Sequence, residues 1–359
     1  MGTLKVITPG ARTLVQDTGF QGGRGQGIPP GGVMDRMALA LVNGLLGNPP
    51  RTAALEVTLT APTLTVADGP VRIALSGTLS GQVRSPDGSA RALPPWTATT
   101  LAEGDRLHLS PPAPGAYGLI GIAGGPDLPV ALGSRSTCLR AGFGGFHGRA
   151  LQTGDALRVG VPAPPPGQPD RHLTRLPPAD DGPIRVVPGP QAEWFDGPGL
   201  SLFLTTAYRV TTDCDRMGMR LDGPALPFAS GRSGDILSDG IVPGAVQVPG
   251  SGQPIILLAD AQTTGGYPKI ATVIGADLPR LSRLSPGDAI RFAAVTVAEA
   301  EVLARAAAAD LARLLQGIAD RPATMPLLGA NLIGGMVDMR QPDHFDGHLH
   351  SPDPKAETP

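Results

Sequence analysis

The stretch PGDAIRFAA, residues 286–294, reads as a second writing of TGDALRVGV, residues 153–161. Working outward, TPGARTLVQD at 8–17 has an echo in VPGPQAEWFD at 187–196, and LEVTLTAPTL at 55–64 has one in GMRLDGPAL at 218–226. The order is kept and the offset shrinks along the chain. Two copies of one β-rich unit, the first carrying extra residues, produce that pattern. Chance similarity among Gly/Pro turns is the competing reading. The copies frame the segment PAPPPGQPDRHLTRLPPADDG, whose Pro and polar residues read as a linker. The expected organisation is a first unit over 1–165, a linker over 166–183, a second unit over 184–295, a helix over 296–319 and a tail over 320–359.

Strand-like runs dominate both units. LKVIT, ALEVTLTAPTLTV, VRIALSG, YGLIGIAGG, IRVVPG, LSLFLTTAYRV, AVQVPG, PIILLAD and IATVIG are rich in strand formers and bounded by Gly, Pro or Asp. Two segments read as helix. In DRMALALVNGLLGN, Asp35 caps, Met37, Leu41, Leu45 and Leu46 share a face, and Gly47 stops the helix. TVAEAEVLARAAAADLARLLQG opens on a capping box, Thr296 to Glu299, and ends at Gly317. The fold class is therefore mainly β, with a few helices and one at the C-terminal end.

Composition narrows the function. The 359 residues suffice for two domains of ordinary size, and a net charge of −2 gives no polybasic surface for nucleic acid or an anionic membrane. Gly 50 and Pro 40 are scattered between apolar runs, which fits many tight turns better than disorder. Cys138 and Cys214 are the only cysteines, so there is neither a disulfide framework nor a CxxC metal spacing. MGTLKVITPG lacks a signal-peptide pattern and has Val6 where myristoylation asks for Ser or Thr, and no apolar run approaches a membrane span. A cytoplasmic location is the expectation.

Polar, glycine-rich blocks hold the candidate site residues. In QTTGGYPKIA, residues 262–271, Gln262, Thr263, Thr264, Tyr267 and Lys269 lie close together around Gly265–Gly266. A lysine against an apolar background is an anion holder or a base; a plain hairpin with GG at its turn also fits. GSRSTCLRAGFGGFHGRAL presents Ser134, Arg135, Ser136 and Thr137 in succession with Arg140 and Arg149 nearby, and GFGGF suggests close backbone approach to something. A solvated loop uses the same residues. PGARTLVQDTGFQGGRGQGIPPGGVMD carries Arg12 and Arg24 among eight glycines but has no GxxxxGK[ST], so it is no Walker phosphate loop. TTDCDRMGMRL brings Asp213, Asp215 and Arg216 together, which fits a surface turn with a local ion pair, and Ser238–Asp239 precede another Pro/Gly turn. The spacing of His344, His348 and His350 suits a metal, but a polar tail suits it better, and no metal site is expected. From these blocks Lys269, Tyr267, Arg135 and Asp239 are the catalytic candidates. Gln262, Thr263, Thr264, Ser134, Ser136, Arg216 and Asp35 are the substrate-binding candidates.

Taken together, TPGARTLVQDTG, GIPPGGVMD, LEVTLTAPTL, GGPDLPVALGSRSTCLRAGFGGFHGRAL, PGPQAEWF, DRMGMRLDGPAL, SDGIVPGAVQVPGSGQPIILLADAQTTGGYPKIATVI and PGDAIRF follow in an order that resembles the allophanate hydrolase subunit 2 family. The resemblance runs from about residue 4 to 293. That family includes the C subunit of the prokaryotic 5-oxoprolinase complex, the Kip-inhibitor antagonist of sporulating bacteria and part of the carboxyltransferase domain of urea carboxylase. The resemblance implies two cyclophilin-like β-barrel units in tandem. It implies partners too: a subunit-1 homologue, like the B subunit of 5-oxoprolinase, and a homologue of its A subunit, with ATP used at the level of the complex. The implied reaction is ATP-dependent opening of the 5-oxoproline lactam to glutamate. The alternatives are a carboxyltransferase subunit receiving carboxybiotin from a partner, and a regulatory protein that binds its subunit-1 homologue. Two positions depart from the family pattern: Phe20 stands where arginine is common, and Gly31 where serine is. No Ala-Met-Lys-Met-like biotin hairpin and no ATP-grasp-like segment is visible.

Overall fold

The structure is a computed structural model and describes residues 2–161, 165, 167–179 and 181–321. Positions 162–164, 166 and 180 of the expected linker, and the tail from 322 with its three histidines, lie outside the described residues. The architecture is mainly β, with four α-helices among the described residues, and it forms two barrel-like units.

The first unit uses two sheets. One runs Ala156–Arg158, Thr3–Thr8, Thr63–Ala67, Arg106–Leu109, Gly81–Arg84, Ala90–Leu93; the other runs Arg12–Gln16, Ala54–Thr58, Tyr117–Ile122, Val71–Leu75, Thr97–Leu101, Arg171–Leu173, Ile318–Asp320. Leu4, Val6, Leu64 and Leu107 of the first meet Leu55, Val57, Ile73 and Ile120 of the second in one core, each at most 1% exposed. The outer face of the second sheet is covered by the helix Arg36–Leu46, whose Leu39, Leu41, Val42 and Leu45 pack on Ala54, Ala74, Ala98 and Leu119. Strands 71–75 and 117–122 are buried at every position, so YGLIGI reads as an unbroken apolar run and even Arg72 in VRIAL is buried. Asp35 caps this helix, its carboxylate accepting from Ala38 N at 2.8 Å, and Gly47 ends it in the left-handed region. The C-terminal helix, Val297–Gln316, opens on the Thr296–Glu299 capping box and rests on the first helix through Leu314.

The second unit is an eight-stranded sheet in the order Ala289–Ile290, Tyr208–Cys214, Gly218–Asp222, Ile255–Leu257, Ala245–Gln247, Lys269–Val273, Ile184–Pro188, Phe292–Ala294. Its two outermost strands are consecutive pieces of DAIRFAA with Arg291 alone between them. Tyr208 pairs with Ile290, and Ile184 with Phe292, so one short segment closes the sheet on itself and leaves no free edge.

The quoted repeat has a physical basis in a turn. Gly154 N and Gly287 N donate to the carbonyls of Val6 and Val210, whose own N–H groups donate to Asp155 O and Asp288 O. The aspartate side chains accept from the N–H three residues earlier, Gln152 in one copy and Ser285 in the other, at 2.7 Å each. Both glycines are left-handed, φ 90° and 95°. A third copy, AEGD at 102–105, clips onto Val66 in the same way through Gly104 and Asp105.

Two expectations need correction. LSLFLTTAYRV is not one strand: Asp196–Thr205 is helical and the strand begins at Tyr208. A short uniformly apolar run does not reveal its period, and here Phe203 stacks on Phe292 with ring centroids 4.4 Å apart. The expected linker is not all loop either. Arg171–Leu173 is a strand paired to Thr97–Ala98 and to Ile318–Asp320, and the buried Arg72 fixes its approach by donating to Pro169 O at 2.7 Å.

Gly287→Ala is expected to lower unfolding stability by about 1–2 kcal/mol, because a Cβ in the left-handed region is strained even where space is open; urea titration that leaves the midpoint unchanged would refute the turn's role. Asp155 is held below the usual carboxylate range by its hydrogen bond from Arg149. A depressed folded-state value gives stability above the ordinary carboxylate pKa that is lost as pH falls through the folded one. The stability gap between wild type and Asp155→Asn should therefore narrow below about pH 4; a gap independent of pH would count against the pair.

Candidate functional site

Where the two units meet, a guanidinium is buried. Arg216 is 2% exposed and Glu56, in the centre of strand Ala54–Thr58, is 1% exposed. Arg216 Nη1 donates to Glu56 Oε1; Nε and Nη2 clamp the two oxygens of Asp260 at 2.8 Å each; Nη2 also donates to Gly32 O at 2.6 Å. The other Glu56 oxygen accepts from Met34 N at 2.7 Å. Burial pushes the Glu56 carboxyl above its usual range while the charge of Arg216 acts in the opposite direction. For Arg216 burial opposes the charge, but Glu56 and Asp260 outweigh it and hold the guanidinium protonated. The expected surface ion pair at Asp215–Arg216 is therefore corrected. Asp215 turns back to accept from Met217 N and Gly218 N, and Arg216 points inward as the hub of a network joining both units.

Above this hub lies a cleft of about 240 Å³, to which the first unit gives Arg12, Cys138, Leu139 and Arg140 and the second gives Asp215, Arg216, Met217 and Asp260. At Asp215 and Met217 it adjoins a wider one of about 490 Å³, lined by Cys214, Arg220, Gln247, Gln262 and Tyr267 among others. Their sizes suit a small polar ligand. Burial pushes the Cys214 thiol up to about 11, so it stays neutral there.

Lys269 and Asp239, both catalytic candidates, meet. Lys269 begins strand Lys269–Val273 and is 3% exposed, and its Nζ reaches Asp239 Oδ2 at 2.8 Å. The hydrogen bond from Lys269 keeps Asp239 below the usual carboxylate range. Asp239–Gly240 pairs with Thr264–Gly265 as a two-residue ladder, which places Thr264 in a strand, and Thr263 O accepts from Ile241 N. Gln247 links this corner to the wider cleft, its Nε2 donating to Tyr267 O at 3.4 Å.

The remaining candidates serve a different structure. Ser134 and Ser136 donate to Asp17 Oδ1 at 2.6 and 2.7 Å, and Arg135 N donates to Asp17 Oδ2 at 2.7 Å. Arg135 Nε is tied to Leu128 O at 2.8 Å. These groups knot the loop whose next turn carries Cys138 to Arg140 into the cleft. The close approach announced by GFGGF is to the chain itself, since a Cβ on Gly144 would stand 2.2 Å from Ser136 O. Asp35, as a helix cap, lines a separate cavity of about 20 Å³ with Glu56, Tyr117 and Arg283. The two departures, Phe20 and Gly31, explain one another: a Cβ on Gly31 would sit 3.2 Å from the Phe20 ring, which packs on Phe143 at 5.1 Å. Glu56, Asp260, Asp17 and Gln247 are not among the candidates read from the sequence. The legible signal is an acid in the apolar run ALEVTL.

A family model described as "Carboxyltransferase domain, subdomain A and B" matches residues 26–294, and the chain belongs to that family. It is 38% identical over 300 residues to the C subunit of 5-oxoprolinase from Escherichia coli, covering 83% of this chain and 93% of that one. Among solved structures it resembles TTHA0988, with a TM-score of 0.72 at 32% identity, covering 82% of this chain and 56% of that one. It also resembles the urea amidolyase of Kluyveromyces lactis, with a TM-score of 0.77 at 29% identity, covering 87% of this chain and 20% of that one. The chain thus spans little more than half of the first solved relative and a fifth of the second.

Truncating the hub tests how far the junction depends on it. Arg216→Met leaves the buried Glu56 and the half-buried Asp260 without a counter-charge and should cost about 3–5 kcal/mol in urea unfolding. Glu56→Gln keeps the Asp260 clamp and should cost less. A loss below about 1 kcal/mol for Arg216→Met would mean that the two acids find water, and that the network does not hold the units together.

Proposed function

We propose that this chain is the C subunit of a bacterial 5-oxoprolinase complex, acting with homologues of the A and B subunits in ATP-dependent hydrolysis of 5-oxoproline to L-glutamate. The supporting observation is its 38% identity over 93% of the E. coli relative of that name. An amide carbonyl is a poor electrophile, and its attack by water demands an activated oxygen and stabilised negative charge. In this reading the two joined clefts hold the lactam, Gln262 meets its planar amide, and the buried Lys269, bonded to Asp239 and standing opposite Gln247 on the neighbouring strand, supplies a donor close to the wider cleft. ATP belongs to the assembled complex. In the first Gly-rich loop of this chain the N–H groups of Gly19, Phe20, Gly27, Ile28, Gly31 and Val33 are already committed to the chain's own oxygens. The chain works in the cytoplasm as part of a hetero-oligomer; no helix among the described residues is long and apolar enough to cross a membrane.

A second reading, a carboxyltransferase subunit that takes carboxybiotin from a partner, draws support from the likeness to the K. lactis urea amidolyase structure. Co-expression with the partner subunits separates the two: the first gives glutamate from 5-oxoproline with ATP, the second gives bicarbonate-dependent turnover with a biotinylated partner. Glutamate release that is unchanged when this chain is omitted would end the first reading. Within the active complex Lys269→Ala should reduce kcat about 100-fold or more while the protein stays folded. Wild-type turnover in that variant would remove Lys269 from the site.

A further inference from the structure

Of the acid oxygens lining the junction cleft only Asp215 Oδ2 has no partner among the described residues, whereas two whole guanidinium groups have none. Both oxygens of Asp260 are clamped by Arg216, and Asp215 Oδ1 is folded onto the N–H groups of Met217 and Gly218. Arg216 itself makes four hydrogen bonds, to Glu56, Asp260 and Gly32. Arg12, half-buried at the head of strand Arg12–Gln16, and Arg140, exposed, line the same cleft. Neither guanidinium forms a hydrogen bond or ion pair with a described residue. Arg140 is not on a loose arm. Its loop is closed by Cys138 N donating to Phe143 O and Gly142 N donating to Cys138 O, both at 2.9 Å, and is anchored by the Asp17 knot. Two arginines from different segments, lining one cleft and each without a hydrogen bond or ion pair to a described carboxylate, form a preorganised fork for a small anion.

The wall has a second character. Where the cleft opens beyond Met217 the polar lining is mixed: the side-chain amides of Gln247 and Gln262 stand beside Tyr267, with Asp213 and Arg220 on the same opening. The site thus offers the two arginines Arg12 and Arg140 in one cleft and the amides Gln247 and Gln262 in the other, the two joined at Asp215 and Met217. A neutral amide uses one end. A molecule with both a carboxylate and a planar amide uses both.

We infer that Arg12 and Arg140 clamp the carboxylate of the substrate, making this chain the part of the complex that selects a carboxylate-bearing cyclic amide over urea and other neutral amides. The inference deepens the proposed function and rests on it for the amide half of the ligand; the clamp itself rests on the two free arginines.

Calorimetric titration of the full chain, alone and in the assembled complex, uses 5-oxoproline, 2-pyrrolidinone (the same ring without the carboxylate), urea and inorganic phosphate as probes. 5-Oxoproline should bind at least about 10-fold tighter than 2-pyrrolidinone or urea. Arg12→Ala/Arg140→Ala should weaken 5-oxoproline about 10- to 100-fold and erase that preference. The melting temperature should hold, since neither side chain loses a partner, and Arg12→Lys/Arg140→Lys should recover part of the affinity. Equal affinity in the double alanine variant overturns the clamp. So does phosphate outcompeting 5-oxoproline for the arginines, or failure of every probe to bind both the chain and the complex. If arginine-dependent selection of 5-oxoproline persists while the complex releases no glutamate, the proposed function falls and the clamp stands.

Discussion

The guanidinium of Arg216 is taken out of water at the junction of the two units, and nearly everything about the site follows from how it is satisfied. A buried cation is tolerable only when its N–H groups find acceptors and its charge finds opposite charge. Here the acceptors come from three separated segments: Gly32 and Glu56 in the first unit, Asp260 in the second. They stand 184, 160 and 44 residues away along the chain; Asp260 comes within reach as the second unit folds, but Gly32 and Glu56 do so only when both units are formed and docked. The network couples the docking of the units to a single geometry, because a slide along the interface would strand a carboxylate. That coupling fixes the floor of the cleft above it.

Much of the fold is legible in the residues, for reasons that are local. The caps of both long helices are readable because a cap is written within four residues: Asp35 with Ala38, Thr296 with Glu299. The duplicated Gly-Asp turn is readable because a left-handed glycine and an aspartate that folds back to its own backbone leave the same letters each time. The third copy at 102–105 is hidden because the run after it, RLHL, does not echo ALRV. The helix over Asp196–Thr205 is hidden for the opposite reason: GLSLFLT is apolar without a period, and its burial against Tyr208 and Phe292 is a tertiary fact.

The site is legible only as a set of residue types. Lys269 and Asp239 stand out in separate polar blocks, and the two-residue ladder between 239–240 and 264–265 is what brings them to 2.8 Å. Serines 134 and 136 read as open donors because sequence does not show Asp17, more than a hundred residues away, waiting to accept from both. Arg216 reads as a surface charge because Asp215 stands next to it, yet adjacent side chains on a strand-ending turn point apart. In each case the deciding partner is distant in sequence, and the competition between a local and a remote partner is settled by packing that no short window contains.

The position of the cleft has a reason of its own. The second sheet closes on itself through one segment, with Ala289–Ile290 and Phe292–Ala294 occupying its two ends. A unit whose backbone ladder is closed has no edge to offer a neighbour, so contact between the units falls to side chains and loops. A seam made that way packs less evenly than a continued sheet, and polar groups that neither core accepts collect along it. The charges consumed in joining the units, those of Glu56, Arg216 and Asp260, sit at the bottom of the seam. The charges left over, on Arg12 and Arg140, sit at its mouth. The duplication thus supplies more than a second barrel: by pressing the closed second sheet against the two-sheet first unit, it creates a recess with a rigid ionic floor and two unpaired arginines at its rim, which is where a small charged molecule finds protein groups whose hydrogen bonds are still to be made.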